Sequence, residues 1–333
     1  MSKQRPSSQK LDKKKSSWQS KASLLTIKKR ARMLNDIRAF FDERDVLEVE
    51  TPLLSAFCTT DPTLNSFKTQ YQGENYYLNT SPEYAMKRLL AEHKLAIFQI
   101  CKSFRLDELG PNHNPEFTML EWYRPGFSLS ELMDELEQLL AVLVNKTVNV
   151  QRLSYQALFE KHAGFNPHLT NAKQCRECAQ KYNLEQPLGM GNDVYEWLDW
   201  LLTQLVLPNL AKDKFVYVYD YPKSQCALAK LRQNELGLTV ASRFELFYGE
   251  IELANGFDEL TDAQEQKNRF HAENDKRKQI KYEVVDVDGN FLAALEHGLP
   301  DCSGVAVGLD RLLMLLLNEN NLSAVFSYPW RNC

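Results

Sequence analysis

The sequence predicts a single α+β domain built around a mostly antiparallel sheet flanked by helices. Two patterns carry that prediction. Strand-like runs recur at about 97–104, 116–124, 215–219 and 243–254, and helical periodicity appears near 128–143, 193–206, 261–280 and 309–318. After residue 21 there is neither an internal repeat nor a long linker, so one folded unit over 22–333 is expected, with an insertion of helices at about 150–210.

At 333 residues, 44% hydrophobic and 25% charged, the chain is long enough to bury a sizeable core. Its 40 basic and 44 acidic residues conceal an asymmetry: residues 1–21 carry seven Lys or Arg against Asp12, which leaves −10 on the remainder. A body that acidic does not suit a long polyanion, which argues against a general nucleic-acid binder. Residues 1–21, rich in Lys, Ser and Gln, bury too little apolar surface to offset ordering entropy and are expected to be a disordered basic tail. No run approaches 18 apolar residues, and the basic start has no apolar stretch of the kind a secretory signal needs. The seven cysteines, an odd number, read as reduced thiols of a cytoplasmic protein, and Cys175-Arg-Glu-Cys178 as incidental thiols on a helix.

Ile27, Ala31, Leu34 and Phe41 form one stripe at helical spacing and predict a helix over about 24–44. Val46-Leu-Glu-Val-Glu-Thr-Pro52 alternates and closes on a proline, which predicts a strand with a fixed exit. A helical run then enters at Glu83 and extends to Leu90. Neither a P-loop nor a dinucleotide fingerprint follows any strand, so any ATP must be held another way.

Three segments hold residues suited to chemistry. In the first, Phe104-Arg105 closes one strand and His113-Asn114 opens the return after Gly110-Pro111. An Arg and a His on adjacent strands can face one anion, and Phe117 offers a surface for a base; a surface hairpin with a routine charge pair would read the same. In the second, Glu245 and Glu252 would lie directly opposite if Tyr248-Gly249 makes a two-residue turn. Apposed carboxylates want a hard cation such as Mg²⁺ between them, although an exposed acidic hairpin also fits. Asn255 and Glu259 follow near the same place. In the third, Gly304, Ala306 and Gly308 alternate along a strand before an apolar helix that opens with Asp310-Arg311. Small residues there admit a flat ligand or another backbone. Arg311 is poorly placed for the helix dipole and suits an anion instead.

In order and residue type these segments resemble motifs 2 and 3 of the class II aminoacyl-tRNA synthetases, and residues 24–54 resemble motif 1. The string His113-Asn-Pro-Glu-Phe-Thr-Met-Leu-Glu121 is that of the lysyl branch, and the likeness spans 22 to about 328. With only about 20 residues ahead of motif 1, no anticodon-binding domain is expected. Met119 to Pro125 and Pro300 to Ala306 are similar to a narrower family of paralogues, those that attach (R)-β-lysine to a lysine side chain of elongation factor P. Ala306 stands where the synthetases carry glycine, and its methyl would reshape the pocket floor toward a shifted amino group.

The resemblance implies the class II catalytic fold, an AMP-forming aminoacyl ligase using ATP and Mg²⁺, and a homodimer through motif 1. Arg105 and Arg311 would be catalytic and hold the α- and γ-phosphates, with His113 assisting. Asn114 and Phe117 would bind adenine, with Leu106, Asp107, Leu253 and Gly308 completing the nucleotide site and Glu245 and Glu252 ligating Mg²⁺. Ser81, Pro82 and Glu83 would take the substrate's backbone-side amine, Tyr123 and Glu259 its ε-ammonium, and Asn255 would lie near its carboxylate, above Ala306. Asp107 stands where the synthetases have Glu, so Glu108 is the alternative adenine contact. Asn112 replaces an Arg and would lose one phosphate contact. The implied partners are elongation factor P and lysine or β-lysine, with neither membrane nor tRNA. A truncated lysyl-tRNA synthetase that still charges tRNA is the alternative, as is an amide ligase of the asparagine synthetase type; a pocket of Glu83, Tyr123 and Glu259 disfavours the latter.

Overall fold

The computed structural model describes residues 18–106, 108–187 and 189–332. The disorder expected of residues 1–17 and any adenine contact of Asp107 lie outside the described residues. Lys21, at the end of the expected tail, donates its amide to Ser327 O at 2.8 Å, so the chain is tied to its C-terminal loop from that point.

Helix α1 (Leu24–Asp42) is N-capped by Ser23, whose Oγ accepts from the Thr26 amide at 3.0 Å. Strand β1 (Leu47–Glu48) is much shorter than the run to Pro52 suggests: pairing ends after Val49 N–H donates to Phe98 O, ahead of a proline that has no donor. A small sheet of β2 (Leu54–Ser55), β3 (Lys68–Tyr71) and β4 (Glu74–Leu78) precedes α2 (Glu83–His93). Then come β5 (Ile97–Phe104), β6 (Glu116–Pro125) and α3 (Leu129–Val144), the last opened by a reciprocal Ser128–Glu131 capping box.

The insertion holds β7 (Val150–Ser154), α4 (Tyr155–His162), α5 (Ala172–Lys181) and α6 (Val194–Leu201), which runs on into a π turn, Leu202–Val206. It is not purely helical, because β7 pairs parallel with β8 (Phe215–Pro222) and extends the main sheet. The chain closes with β9 (Leu231–Gln233), β10 (Thr239–Tyr248), β11 (Ile251–Asp258), α7 (Ala263–Gln279), α8 (Gly289–Gly298), β12 (Cys302–Gly308) and α9 (Leu309–Leu316).

The main sheet runs β1-β5-β6-β12-β11-β10-β8-β7, with β9 on β10, and among the described residues only the β1–β5 and β7–β8 pairs are parallel. This is the α+β, mostly antiparallel architecture that the sequence predicts. Alternation gives the central strands two different faces. Leu120, Trp122, Val305, Val307, Phe244 and Leu246 point into the core, where α1, α3 and α9 cover them. Helix α3 contributes Leu132, Leu136, Leu139 and Leu140 at helical spacing, each side chain stabilising by about 1.5–3 kcal/mol when fully buried. The insertion builds a second core on Tyr155, Phe159, Trp197, Val216 and Val218, which also buries Cys175 and Cys178. Burial pushes the Cys175 thiol up to about 11, which suits a packing group rather than a reactive one.

Candidate active site

The opposite face of the same strands floors a cavity of about 700 Å³. One register line crosses five strands there: Gln99, Glu121, Ala306, Asn255 and Glu245 stand side by side on β5, β6, β12, β11 and β10. In the next line stand Tyr123, Gly304, Phe257 and Arg243. Antiparallel pairing thus brings residues more than a hundred positions apart into one patch.

The acidic hairpin reaches that face by a different geometry from the turn expected at Tyr248-Gly249. The two-residue turn is Gly249-Glu250, because Gly249 takes φ +57 at little steric cost. Glu245 therefore faces Asn255, not Glu252, and Glu252 pairs with Phe247. A bulge between these pairs inserts Leu253, so Glu252 and Asn255, three residues apart, both line the cavity with Glu245. Burial pushes the Glu245 carboxyl up to about 7, and the neighbouring Glu252 adds to the effect while Arg243 opposes it. Arg243 pairs with one oxygen of Glu245, and Tyr221 OH donates to the other at 2.6 Å.

Beside Glu252 stand basic residues of the cavity. Arg105 follows β5 directly, lies 5.2 Å from the Phe117 ring and pairs with Glu108 at 3.4 Å. Among the described residues its buried Nε has no hydrogen-bond partner, a donor left for an anion. Arg311, in the first turn of α9, donates from Nε to Asn112 O at 3.1 Å and from Nη1 to Glu252 O at 2.9 Å. Asn112 thus contributes its backbone where its side chain departs from the synthetase pattern. His113 lies between Arg105 and Arg311; burial first, and then the Arg311 charge, lower its pKa and favour the neutral imidazole. The Asn114 amide is already engaged, donating to Glu116 O at 2.6 Å and accepting from the Trp330 amide at 3.1 Å. Leu106 does not join the cavity wall: its amide donates to Asn65 O at 2.8 Å and its side chain is 40% exposed.

The glycines of β12 have unequal roles. A Cβ on Gly304 would fall 2.4 Å from the Tyr123 ring and 2.6 Å from Glu259 Oε1, so the room there is taken by protein rather than by a ligand. A Cβ on Gly308 would meet nothing nearer than 3.8 Å, which leaves that space open to the cavity.

The same cavity wall holds a carboxylate pocket. Ser81 Oγ donates to Glu121 Oε2 at 2.8 Å and Tyr123 OH to Glu121 Oε1 at 2.5 Å. Burial, with a contribution from neighbouring Glu83, pushes Glu121 up to about 7 and Glu259 up to about 8. Lys87, 1% exposed, stands between Glu83 and Glu259 with Nζ 2.6 Å from an oxygen of each. Glu121, Lys87 and Arg243 are absent from the residues singled out in the sequence. Period-two spacing from Tyr123 and from Glu245 was the available signal for Glu121 and Arg243. For Lys87 it was the i, i+4 offset from Glu83.

Among the described residues no group of three or more metal-ligating side chains occurs, and no helix is long and apolar enough to cross a membrane. The family model for class II tRNA synthetases (D, K and N) matches residues 7–332. The chain is 45% identical over 317 residues to the elongation factor P–(R)-beta-lysine ligase of Salmonella paratyphi A, covering 93% of this chain and 97% of that protein. Proteins of the same name from Sodalis glossinidius and Histophilus somni are each 44% identical, over 94% and 93% of this chain and 97% of their own lengths. Matched almost end to end, and carrying motif residues of that class on one face of its sheet, the chain belongs to the class II tRNA synthetases of the D, K and N group.

Proposed function

We propose that this protein activates (R)-β-lysine as an aminoacyl-adenylate with ATP and transfers it to a lysine ε-amine of elongation factor P. The observation that carries the reading is 44–45% identity, over 93–94% of the chain, to relatives named for that ligation. The cavity supports it chemically, with an unpartnered Arg105 donor beside Arg311 and, elsewhere on its wall, three carboxylates suited to a diammonium chain.

In the mechanism, Arg105 and Arg311 hold the phosphates, neutral His113 donates a hydrogen bond beside them, and adenine stacks on Phe117 near Asn114. Leu253 and Gly308 leave room for the nucleotide. Glu83, behind Ser81 and Pro82, binds the backbone-side ammonium, Tyr123 and Glu259 the distal one, and Asn255 orients the carboxylate above Ala306. The substrate carboxylate oxygen attacks the α-phosphorus, the bond to the β-phosphate oxygen breaks, and pyrophosphate leaves. Arg105 stabilises the charge that develops, and fixed positioning supplies much of the rest. The unprotonated acceptor amine then attacks the carbonyl carbon, AMP leaves with the electron pair, and the amine's proton passes to solvent. No step uses an enzyme nucleophile.

Glu245 and Glu252 fit Mg²⁺ as a partial ligand set. The Glu252 charge raises the proton affinity of Glu245, and a divalent cation held by the two would relieve that repulsion. When bound, Mg²⁺ supplies neutralisation of phosphate charge. The homodimer and the cytoplasmic setting belong to the same reading. Leu24 and Leu25 at the start of α1, 67% and 63% exposed, support the first as an apolar surface awaiting a second copy.

The test is a mass spectrum of elongation factor P after incubation with the protein, ATP, Mg²⁺ and (R)-β-lysine, with lysine tRNA as parallel acceptor. A gain of one lysyl mass on the protein is expected. Labelled tRNA with unmodified protein would make this an enzyme that charges tRNA.

A further inference from the structure

Lys87 is a buried cation set behind two carboxylates that line the cavity, which makes its role a question of charge as well as of packing. It projects from α2, its side chain is 1% exposed, and its ammonium lies 2.6 Å from Glu83 Oε1 and 2.6 Å from Glu259 Oε2. The contact to Glu83 is a hydrogen bond, and the ammonium lies equally close to Glu259 Oε2, an oxygen buried from water, so Lys87 bridges the two carboxylates. The rings of Tyr123 and Phe291 lie 5.9 Å from the same ammonium and wall it from water. The titratable groups that face it are Glu83 on its own helix, Glu121 and Tyr123 on β6, Glu259 after β11, and the Cys302 thiol on β12.

The arithmetic of these charges is specific. Once ionised, as two bound ammonium groups favour, Glu83, Glu121 and Glu259 together bring three negative charges into a buried space, a number that no two-ammonium ligand can balance. With Lys87 among them two remain, one for each cationic nitrogen of a diamino acid. An uncompensated buried charge is expensive, so a pocket without Lys87 would protonate one of its carboxyls instead. Each carboxylate that Lys87 touches is also held in one rotamer, with its free oxygen available to the ligand.

We propose that Lys87 is the positioning residue of the amino-acid pocket: wedged between Glu83 and Glu259, it holds both carboxylates in place and offsets part of their charge, matching the pocket to a substrate carrying two ammonium groups. The inference rests on the reading of the cavity as a diamino-acid site.

The experiment is ATP–pyrophosphate exchange driven by (R)-β-lysine, measured against pH for the wild type and for Lys87→Met, with melting temperature as the check on folding. Exchange by the wild type establishes the diamino-acid reading; without it that reading fails, whatever the variant does. For a folded Lys87→Met, KM for the amino acid rises about tenfold or more at neutral pH while KM for ATP holds, because one unit of carboxyl pKa is a factor of ten in the ionised form. The acid limb of kcat/KM moves to higher pH, a displacement that loss of packing would not produce. An unmoved acid limb, or equal losses toward ATP and the amino acid, overturns the proposal. Lys87→Arg keeps the charge and serves where the Met variant does not fold. Its acid limb should coincide with that of the wild type, and an upward displacement would overturn the proposal equally.

Discussion

Gly304 and Tyr123 occupy one register position of β12 and β6, and the tyrosine ring fills the space that a side chain on the glycine would need, 2.4 Å from its ideal Cβ. The ring is thereby laid flat along the sheet, and its hydroxyl reaches Glu121 at 2.5 Å. The neighbouring Glu259 oxygen would be crowded by the same methyl at 2.6 Å.

Gly304→Ala should therefore damage the amino-acid pocket before it damages the fold. Overpacking costs about 1–3 kcal/mol, readable as a lower urea midpoint at unchanged m-value. The amino-acid KM in pyrophosphate exchange rises much more than the ATP KM. Equal effects on both would mean that Tyr123 and Glu259 do not serve the amino acid.

Ala306 faces Asn255 on one side and Glu121 on the other, so its methyl stands at the middle of the pocket floor. Ala306→Gly should move preference from (R)-β-lysine toward α-lysine. One methyl in such a pocket is worth about 1–3 kcal/mol, or roughly 10–200-fold in relative kcat/KM. The measurement is exchange with both isomers in parallel, and an unchanged ratio would remove the floor from the account of specificity.

Arg311 is fixed by Asn112 O and Glu252 O, both backbone acceptors, and so presents its guanidinium in one orientation. Arg311→Ala should lower kcat/KM for ATP by roughly 10²–10³, the scale seen when one preorganised donor is removed. Arg311→Lys should recover little of it, since a point charge lacks the planar fork. Recovery to wild-type rates in the Lys variant would reduce the role of Arg311 to bulk charge.

Amino-acid binding should release protons near neutrality. Glu121 and Glu259 sit at about 7 and about 8, above the usual carboxyl range, so the empty pocket is partly protonated there. Two ammonium groups favour the ionised forms, so kcat/KM for the amino acid climbs as pH rises through that window, while KM for ATP stays flat. The same raised values make folding favour the protonated acids. These two groups therefore lower the free protein's stability progressively from the ordinary carboxyl pKa up to about 8. Calorimetric titration in buffers of different ionisation enthalpy reads the proton count, and a count of zero at neutral pH contradicts the assignment.

Asp310, buried beside Arg311, pairs with Arg30 of α1 at 2.5 Å and accepts from the Thr118 amide at 2.6 Å. It thus pins α1 and α9 to the sheet. Asp310→Ala leaves the Thr118 donor and Arg30 without their partner and should cost about 3–5 kcal/mol, measured by chemical denaturation. A loss below about 1 kcal/mol would show the pair to be replaceable by water.

Local chemistry alone determined much of this protein. The helical spacing of α1, the capping box of α3 and the alternation of β5, β6 and β12 are written in neighbouring residues, and so are legible without any fold; the buried face of α1 was not, since Met33, Ile37, Phe40 and Phe41 pack inward while Ile27 and Ala31 of the expected stripe are exposed. Arg105, His113, Glu245, Glu252 and Arg311 stand out for the same reason: each is a polar residue that local structure has no use for. The hairpin β3–β4, which turns at Gln72-Gly73, and helix α8, built on Phe291 and Leu295, carried only weak signals in short polar surroundings. Register belongs to the tertiary structure. A turn displaced to Gly249-Glu250 and a bulge at Leu253 decide which residue Glu245 faces, because a one-residue shift reverses every side chain of a strand and no local preference sets it. Of the carboxylate pocket, Glu83, Tyr123 and Glu259 were named through the family likeness, but Lys87 and Glu121 stayed hidden for a related reason. Glu83 and Lys87 on a helix, Glu121 on one strand and Glu259 beyond another become neighbours only when the sheet is assembled, and burial then raises Glu121 and Glu259 above the ordinary range of an isolated chain.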